Sequence, residues 1–372
     1  MLGHGWLGFL EAGIAALSWR AVAMMAIGGV LIALAIVRRY EPLLLLPIGL
    51  GCILTNIPNT GMFDEGGLLR VLYDVGIANG LFPSLIFLGV GAMTDFGPLL
   101  ENPKYILFGA AAEFGVFSAL VLATVAGFGI VQAAAIGVIG SADGPTAILI
   151  ASRMAPELLG AVSVAAYSYI ALVPVIQPPL IRLLTTSEER SIRMPHSERE
   201  VPRGERIAFP IVVTLICGII APESLPLIGM LMFGNLARES GVVERINHAA
   251  HYEISNIVMV LLGITIGATM QAEQFLRLET LVILALGLAA FTLGSASGIL
   301  LGKLMNRLSG GKVNPLLGSC GISAFPISAR VAQNLAHEED PDNFLLMHAV
   351  GASTSGLIAS VVTAGFLLAV LL

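Results

Sequence analysis

Gly140 to Ala151 reads GSADGPTAILIA and lies between two long apolar runs, carrying one carboxylate, Asp143. Gly140, Gly144 and Pro145 interrupt any helix drawn through this point and leave backbone carbonyl and N–H groups free to bind. A charge at membrane depth is costly unless paired or hydrated, so an aspartate there marks an ion, proton or substrate path. With Ser141 and Thr146 it offers hard oxygen ligands suited to a small cation such as Na+. The residues alone leave a second reading open, an aspartate that caps a helix in an ordinary loop.

The flanking runs decide the fold class. Of 372 residues, 56% are hydrophobic and 12% charged, and the mean hydropathy is +0.89. These values define an all-α polytopic membrane protein. The apolar runs are continuous rather than alternating, which excludes a β-barrel. Cys52, Cys217 and Cys320 are far apart, so neither a disulfide framework nor a metal site is expected. A net charge of −6 offers no basic surface for nucleic acid. The first residues lack a basic n-region and a cleavage site, so no cleaved signal peptide is expected.

Working outward, residues 1–40 form an N-terminal interfacial helix over Met1–Trp19, with Trp6 and Glu11, and a first span ended by Arg38-Arg39. Residues 41–185 form a first repeat with its broken segment at 138–152. It includes a polar stretch Asn56–Asn79, a long span Tyr105–Val131 that carries Glu113, and a span Glu157–Ile181 that carries Tyr167, Tyr169 and Gln177. Glu113 reads either as a transport group or as a carboxyl hydrogen-bonded between helices. Residues 186–206 are a hydrophilic, arginine-rich connector with the composition of a mobile cytoplasmic loop. Residues 207–372 repeat the plan: Ile207–Phe233 with breaks at Pro210, Pro222 and Pro226, a polar stretch Asn235–Glu253, further spans, and a second broken segment at 314–331.

The halves match in two places. Gly91-Ala92 stands opposite Gly267-Ala268, and Gly140–Pro145 and Gly321–Pro326 both read GxxxxP. Paired interrupted helices at equivalent positions point to a binding site at the membrane midplane between two repeats, which we expect to be inverted, with a core moving against a scaffold. In the second broken segment, NPLLGSCGISAFPISARV (Asn314–Val331), Arg330 is either a fork for an anionic group or a side chain that snorkels to the interface.

Longer motifs carry a specific resemblance. GSADGPTAI, GISAFPISARV, FGNLARESGV and FDEGGLLRVLYDVGIANGLFPSLIFLGVGAMTDFGPLL resemble the β subunit of the biotin-dependent sodium-translocating decarboxylases of oxaloacetate, methylmalonyl-CoA and glutaconyl-CoA, over the chain from about Leu43 onward. The resemblance implies a subunit of the bacterial cytoplasmic membrane that decarboxylates carboxybiotin, pumps Na+ outward and consumes a proton. It implies as partners a biotin carrier subunit, a carboxyltransferase α subunit, a small single-span membrane subunit and further copies of the same chain, and no tightly bound cofactor of its own. Carried over position by position, it implies functional roles for Asp143, Tyr169, Asn314, Gly318, Ser323 and Arg330. Asp143, Ser323, Asn314 and Gly318 would then hold Na+, Arg330 would orient carboxybiotin, and Tyr169 would act as general acid. Without these motifs, the same features also fit a secondary Na+/H+ or Na+/carboxylate transporter, and a membrane anchor is a third reading that Asp143 and Arg330 argue against.

Overall fold

The computed structural model describes residues 15–195 and 199–372. The helix expected over Met1–Trp19 falls largely outside the described residues. Among those described, the chain is helix and connection with no strand. Among the described residues, six helices are long and apolar enough to cross a membrane, or seven if Leu68–Ile77 and Leu81–Met93, bent by 59°, form one span. The chain is a multi-pass membrane protein.

We label the main helices in chain order. The first half holds α1 (Trp19–Val37), α2 (Pro42–Asn56), α3 (Leu81–Met93), α4 (Ile106–Ala112), α5 (Phe114–Val125), α6 (Ile130–Gly137), α7 (Gly144–Met154) and α8 (Leu159–Leu184). The second holds α9 (Arg203–Ile220), α10 (Leu225–Ser240), α11 (Ser255–Ala268), α12 (Leu278–Leu308), α13 (Ile327–Glu339) and α14 (Leu346–Leu371).

Prolines set several of the boundaries. Asn102, Ala155 and Ala221 each precede a proline and leave helical backbone, at φ −131°, −149° and −140°, because the proline ring crowds the residue before it. The stretch Ile207–Phe233 is therefore two helices, with its corner at Ala221-Pro222 and Pro210 left inside α9. The polar stretch expected from Asn235 begins instead as the last turns of α10, which ends at Gly241 in left-handed backbone, φ 64°. The span expected over Tyr105–Val131 runs over Pro103–Val125 and is interrupted at Glu113, between α4 and α5.

Helices of the two halves meet at glycines. α2 packs on α11 and α3 packs on α10. A side chain on Gly51 would strike the carbonyl of Ile264, and one on Gly267 that of Ile48; in the other pair, Gly91 lies on the carbonyl of Leu231 and Gly234 on that of Leu88. Small residues let membrane helices approach to backbone contact. Polar closures match as well: Asn56 Nδ2 donates to Met270 O at 2.8 Å and Asn235 Nδ2 to Thr94 O at 3.0 Å.

The connector after α8 is tethered rather than loose. Arg190 Nε donates to Glu339 Oε1 at 2.6 Å, Arg193 Nη2 to Asp340 Oδ1 at 2.7 Å, and Arg182 Nη2 to Glu338 Oε2 at 2.6 Å. Its arginines thus face an acidic run at the end of α13, which a reading of composition along the chain cannot see.

Candidate functional site

The first broken segment stops α6 with one 3-10 turn, Val138–Ser141, and a residue in left-handed backbone, Ala142 at φ 54°. Asp143 then opens α7 as its N-cap: Oδ1 accepts from Thr146 N at 3.3 Å. The capping alternative is therefore realised, and it leaves Oδ2 for other partners. The second broken segment is a 3-10 stretch, Pro315–Gly321, followed by extended backbone, a cis Phe325-Pro326 bond and α13.

The two breaks meet. Ser323 N donates to Ser141 O at 2.9 Å, and Ser323 Oγ donates to Asp143 Oδ2 at 3.3 Å. Ser360 Oγ, from α14, donates to the same Oδ2 at 2.6 Å. Asp143 is only 4% exposed. Its negative charge thus sits at a helix N-terminus, where the macrodipole and the cap favour it, and hydroxyls from two further segments converge on it. Ser141, weighed as a ligand in the sequence, donates its hydroxyl to Val138 O at 2.8 Å instead.

A cavity of about 150 Å³ opens beside this carboxylate and is mainly apolar, with Phe87, Met259 and Phe325 in its wall. Glu41, Tyr167 and Ser323 add polar groups to the lining. Burial pushes the Glu41 carboxyl above its ordinary value.

The structure brings together Asp143 and Ser323 of the residues singled out in the sequence, and places the others apart. Asn314 is fully buried, donates to Arg190 O and Ile192 O at 3.0 and 2.9 Å, and accepts from Leu316 N at 3.0 Å, so it holds the connector. Gly318 packs on the backbone of Gly298 in α12. Tyr169 Oη donates to Leu284 O, away from the cavity that Tyr167 lines. Arg330 is exposed on α13 and forms no ion pair or side-chain hydrogen bond among the described residues. Glu113 is buried, and its Oε2 has no partner among the described residues. Ser360 is the contributor that sequence reasoning missed; it stands in the last apolar span with no local mark beyond the serines around it, such as Ser353 and Ser355.

The donor set fits Na+. It consists of carboxylate and hydroxyl oxygens, and no group of three or more His, Cys, Asp or Glu suited to a metal exists among the described residues. Fold and site together define a polytopic membrane protein organised around an intramembrane carboxylate at interrupted helices, the arrangement of an ion-translocating membrane protein.

Comparison with known proteins narrows this class. Residues 20–371 match the family model of the Na+-transporting oxaloacetate decarboxylase beta subunit, and the chain belongs to that family. It is 52% identical over 359 residues to the glutaconyl-CoA decarboxylase subunit beta of Acidaminococcus fermentans, covering 96% of this chain and 95% of the relative. It is 52% identical over 361 residues to the methylmalonyl-CoA decarboxylase subunit beta of Veillonella parvula, covering 97% and 96%. With the oxaloacetate decarboxylase beta chain of Haemophilus ducreyi it shares 45% over 422 residues, 97% of each chain.

Proposed function

We propose that this chain is the membrane subunit that couples loss of carbon dioxide from carboxybiotin to outward Na+ transport across the bacterial cytoplasmic membrane, with Asp143 as the Na+-binding group. The observation that carries this reading is the meeting of the two broken segments at Asp143 Oδ2. The family match favours it over a stand-alone exchanger or symporter, because the relatives are named as decarboxylase subunits. Relatives named for acyl-CoA substrates align with fewer gaps than the oxaloacetate relatives, which supports an acyl-CoA partner reaction. The carrier, the carboxyltransferase and the small membrane subunit are the partners this function requires, and association of several copies is part of the same reading.

Both broken segments are re-entrant in this account. Gln132 Nε2 donates to Glu157 Oε1 at 2.7 Å, so the starts of α6 and α8 lie side by side. Asn314 and Asn343, on either side of α13, both donate to Arg190 O and Ile192 O. With both segments turning back, the span Pro103–Val125 and helices α8, α9 and α10 intervene between α3 and α11. An even number of crossings makes α3 and α11 antiparallel and the repeats inverted, and the reciprocal glycine packing supports this.

Carboxybiotin, when bound, supplies the carboxyl group that is lost and takes up the proton consumed. The apolar wall of the cavity suits a heterocyclic ring, with Asp143 and Ser323 among its polar groups. An anionic carboxyl group brought near Asp143 is repelled unless a cation lies between them, which couples occupancy of the two sites. In this account Arg330, exposed one turn beyond the cavity residue Ile327, orients the carboxyl group. Asn314 and Gly318, included in the Na+ set by resemblance, act on it in this account by fixing the second hairpin. The general-acid role of Tyr169 requires a second conformation in which its hydroxyl leaves Leu284, and so a movement of α8 against α12.

The test is carbon dioxide release from carboxybiotin by the purified complex, with and without Na+. Release that requires Na+ is expected; release unaffected by Na+ contradicts the proposal.

A further inference from the structure

Two buried hydroxyls beside Asp143 are unaccounted for. Thr146 Oγ1 and Tyr167 Oη have no hydrogen-bond partner among the described residues, in side chains belonging to residues 0% and 4% exposed. Leaving a buried hydroxyl unpaired is costly, so two of them flanking one carboxylate call for a partner of another kind. Thr146 stands in the first turn of α7, its N–H bonded to Asp143 Oδ1 and its hydroxyl facing the same carboxylate without hydrogen-bond geometry. Tyr167 comes from α8 and lies so close to Gly144 that a side chain there would strike its ring. It lines the cavity together with Asp143 and Ser323.

The chemistry of these oxygens indicates what they await. One carboxylate compensates a single positive charge, and hydroxyls add neutral donors without inviting a divalent ion, which needs more carboxylate. Thr146 stands in the first turn of α7 and the Tyr167 ring of α8 packs on Gly144 of the same turn, so both oxygens are carried by packed helices rather than by flexible loops. A shell of fixed spacing discriminates among monovalent cations by radius.

We propose that Thr146 Oγ1 and Tyr167 Oη complete the oxygen shell of Na+ at Asp143 and set its preference for Na+ over Li+ and K+. The inference rests on Asp143 being the cation site and adds two ligands that the resemblance does not assign. Tyr167 thereby has a role separate from that of Tyr169, whose hydroxyl is committed to Leu284.

The experiment measures half-maximal Na+, and the relative effect of Li+ and K+, for carbon dioxide release by the assembled complex carrying Thr146→Val, Thr146→Ser or Tyr167→Phe. The Na+-induced shift in melting temperature of the same preparations provides a readout independent of turnover. Thr146→Val and Tyr167→Phe are expected to raise half-maximal Na+ about tenfold or more and to change the Na+ to Li+ preference. Thr146→Ser keeps the hydroxyl and is expected to behave as wild type. Unchanged half-maximal Na+ and unchanged cation preference in both variants would overturn the proposal, and so would a fall in turnover or yield without either change. Asp143→Asn, run alongside, separates the two layers: if it too leaves Na+ dependence intact, the reading of Asp143 itself fails.

Discussion

At Asp143 the two carboxylate oxygens are used differently: Oδ1 caps α7, while Oδ2 accepts from Ser323 at 3.3 Å and Ser360 at 2.6 Å. The shorter contact belongs to Ser360, so this residue does most to orient the carboxylate. A hydrogen bond to a charged group contributes about 1.5 kcal/mol or more, which corresponds to about tenfold in affinity. Ser360→Ala is accordingly expected to raise half-maximal Na+ for carbon dioxide release by about tenfold, and an unchanged value would remove Ser360 from the site. Asp143 was legible in the sequence because glycine and proline interrupt the apolar run around it, whereas Ser323 was singled out through the family resemblance. Ser360 was not legible, since a serine in a continuous apolar helix ordinarily donates to a preceding carbonyl, and Leu357 O lies within reach of Ser360 Oγ at 3.1 Å; only tertiary packing brings it to Asp143 at 2.6 Å. Thr146 was visible as an oxygen in the first break, but its lack of a partner is a property of the packed site.

Helices decide which of two neighbouring candidates faces the cavity. Tyr167 and Tyr169 are two positions apart, about 200° around an α-helix, so one reaches the cavity while the other faces α12. Sequence separation carries no sign of which is which until the face of α8 is known. Similarly, the prolines made the breaks legible, while the corner at Pro222 and the uninterrupted passage of α9 through Pro210 depend on the packing around each. The clamp between connector and α13 belongs to this scale. The Ser187 hydroxyl and the Arg190 guanidinium hold Glu339 below its ordinary value, and Arg193 does the same for Asp340. Because the folded values lie below the unfolded ones, the clamp contributes fully above the ordinary carboxylate range and is lost as pH falls through the lowered values. Amide exchange in 187–195 is therefore expected to stay slow relative to an unstructured segment down to about pH 4 and to quicken below it. Exchange already fast at pH 7 would mean that the connector is not tethered.

For the whole molecule, the proposed architecture is an inverted pair of repeats whose hairpins enter from opposite faces and meet at one carboxylate. The match between Gly91-Ala92 and Gly267-Ala268 is the sequence ground for expecting related halves, and in the structure each of these glycines packs on a backbone carbonyl of the other half. Orientation was not legible from the match alone, because it depends on whether the first break, which lies between α3 and α11, crosses or turns back. Single cysteines at Gln132 and Glu157 are expected to react with an impermeant maleimide from one side of sealed vesicles, and those at Lys312 and Asp342 from the other. Cys52, Cys217 and Cys320 are buried and give little background. Labelling of Gln132 and Glu157 from opposite sides would mean that the first segment crosses.

The most direct test of the coupling itself is the simultaneous measurement of carbon dioxide release and 22Na+ uptake by the complex in proteoliposomes, wild type against Asp143→Asn. With the carboxylate at the junction of both hairpins serving as the Na+ ligand, the variant loses both activities together. Na+ uptake that persists in Asp143→Asn would contradict the account.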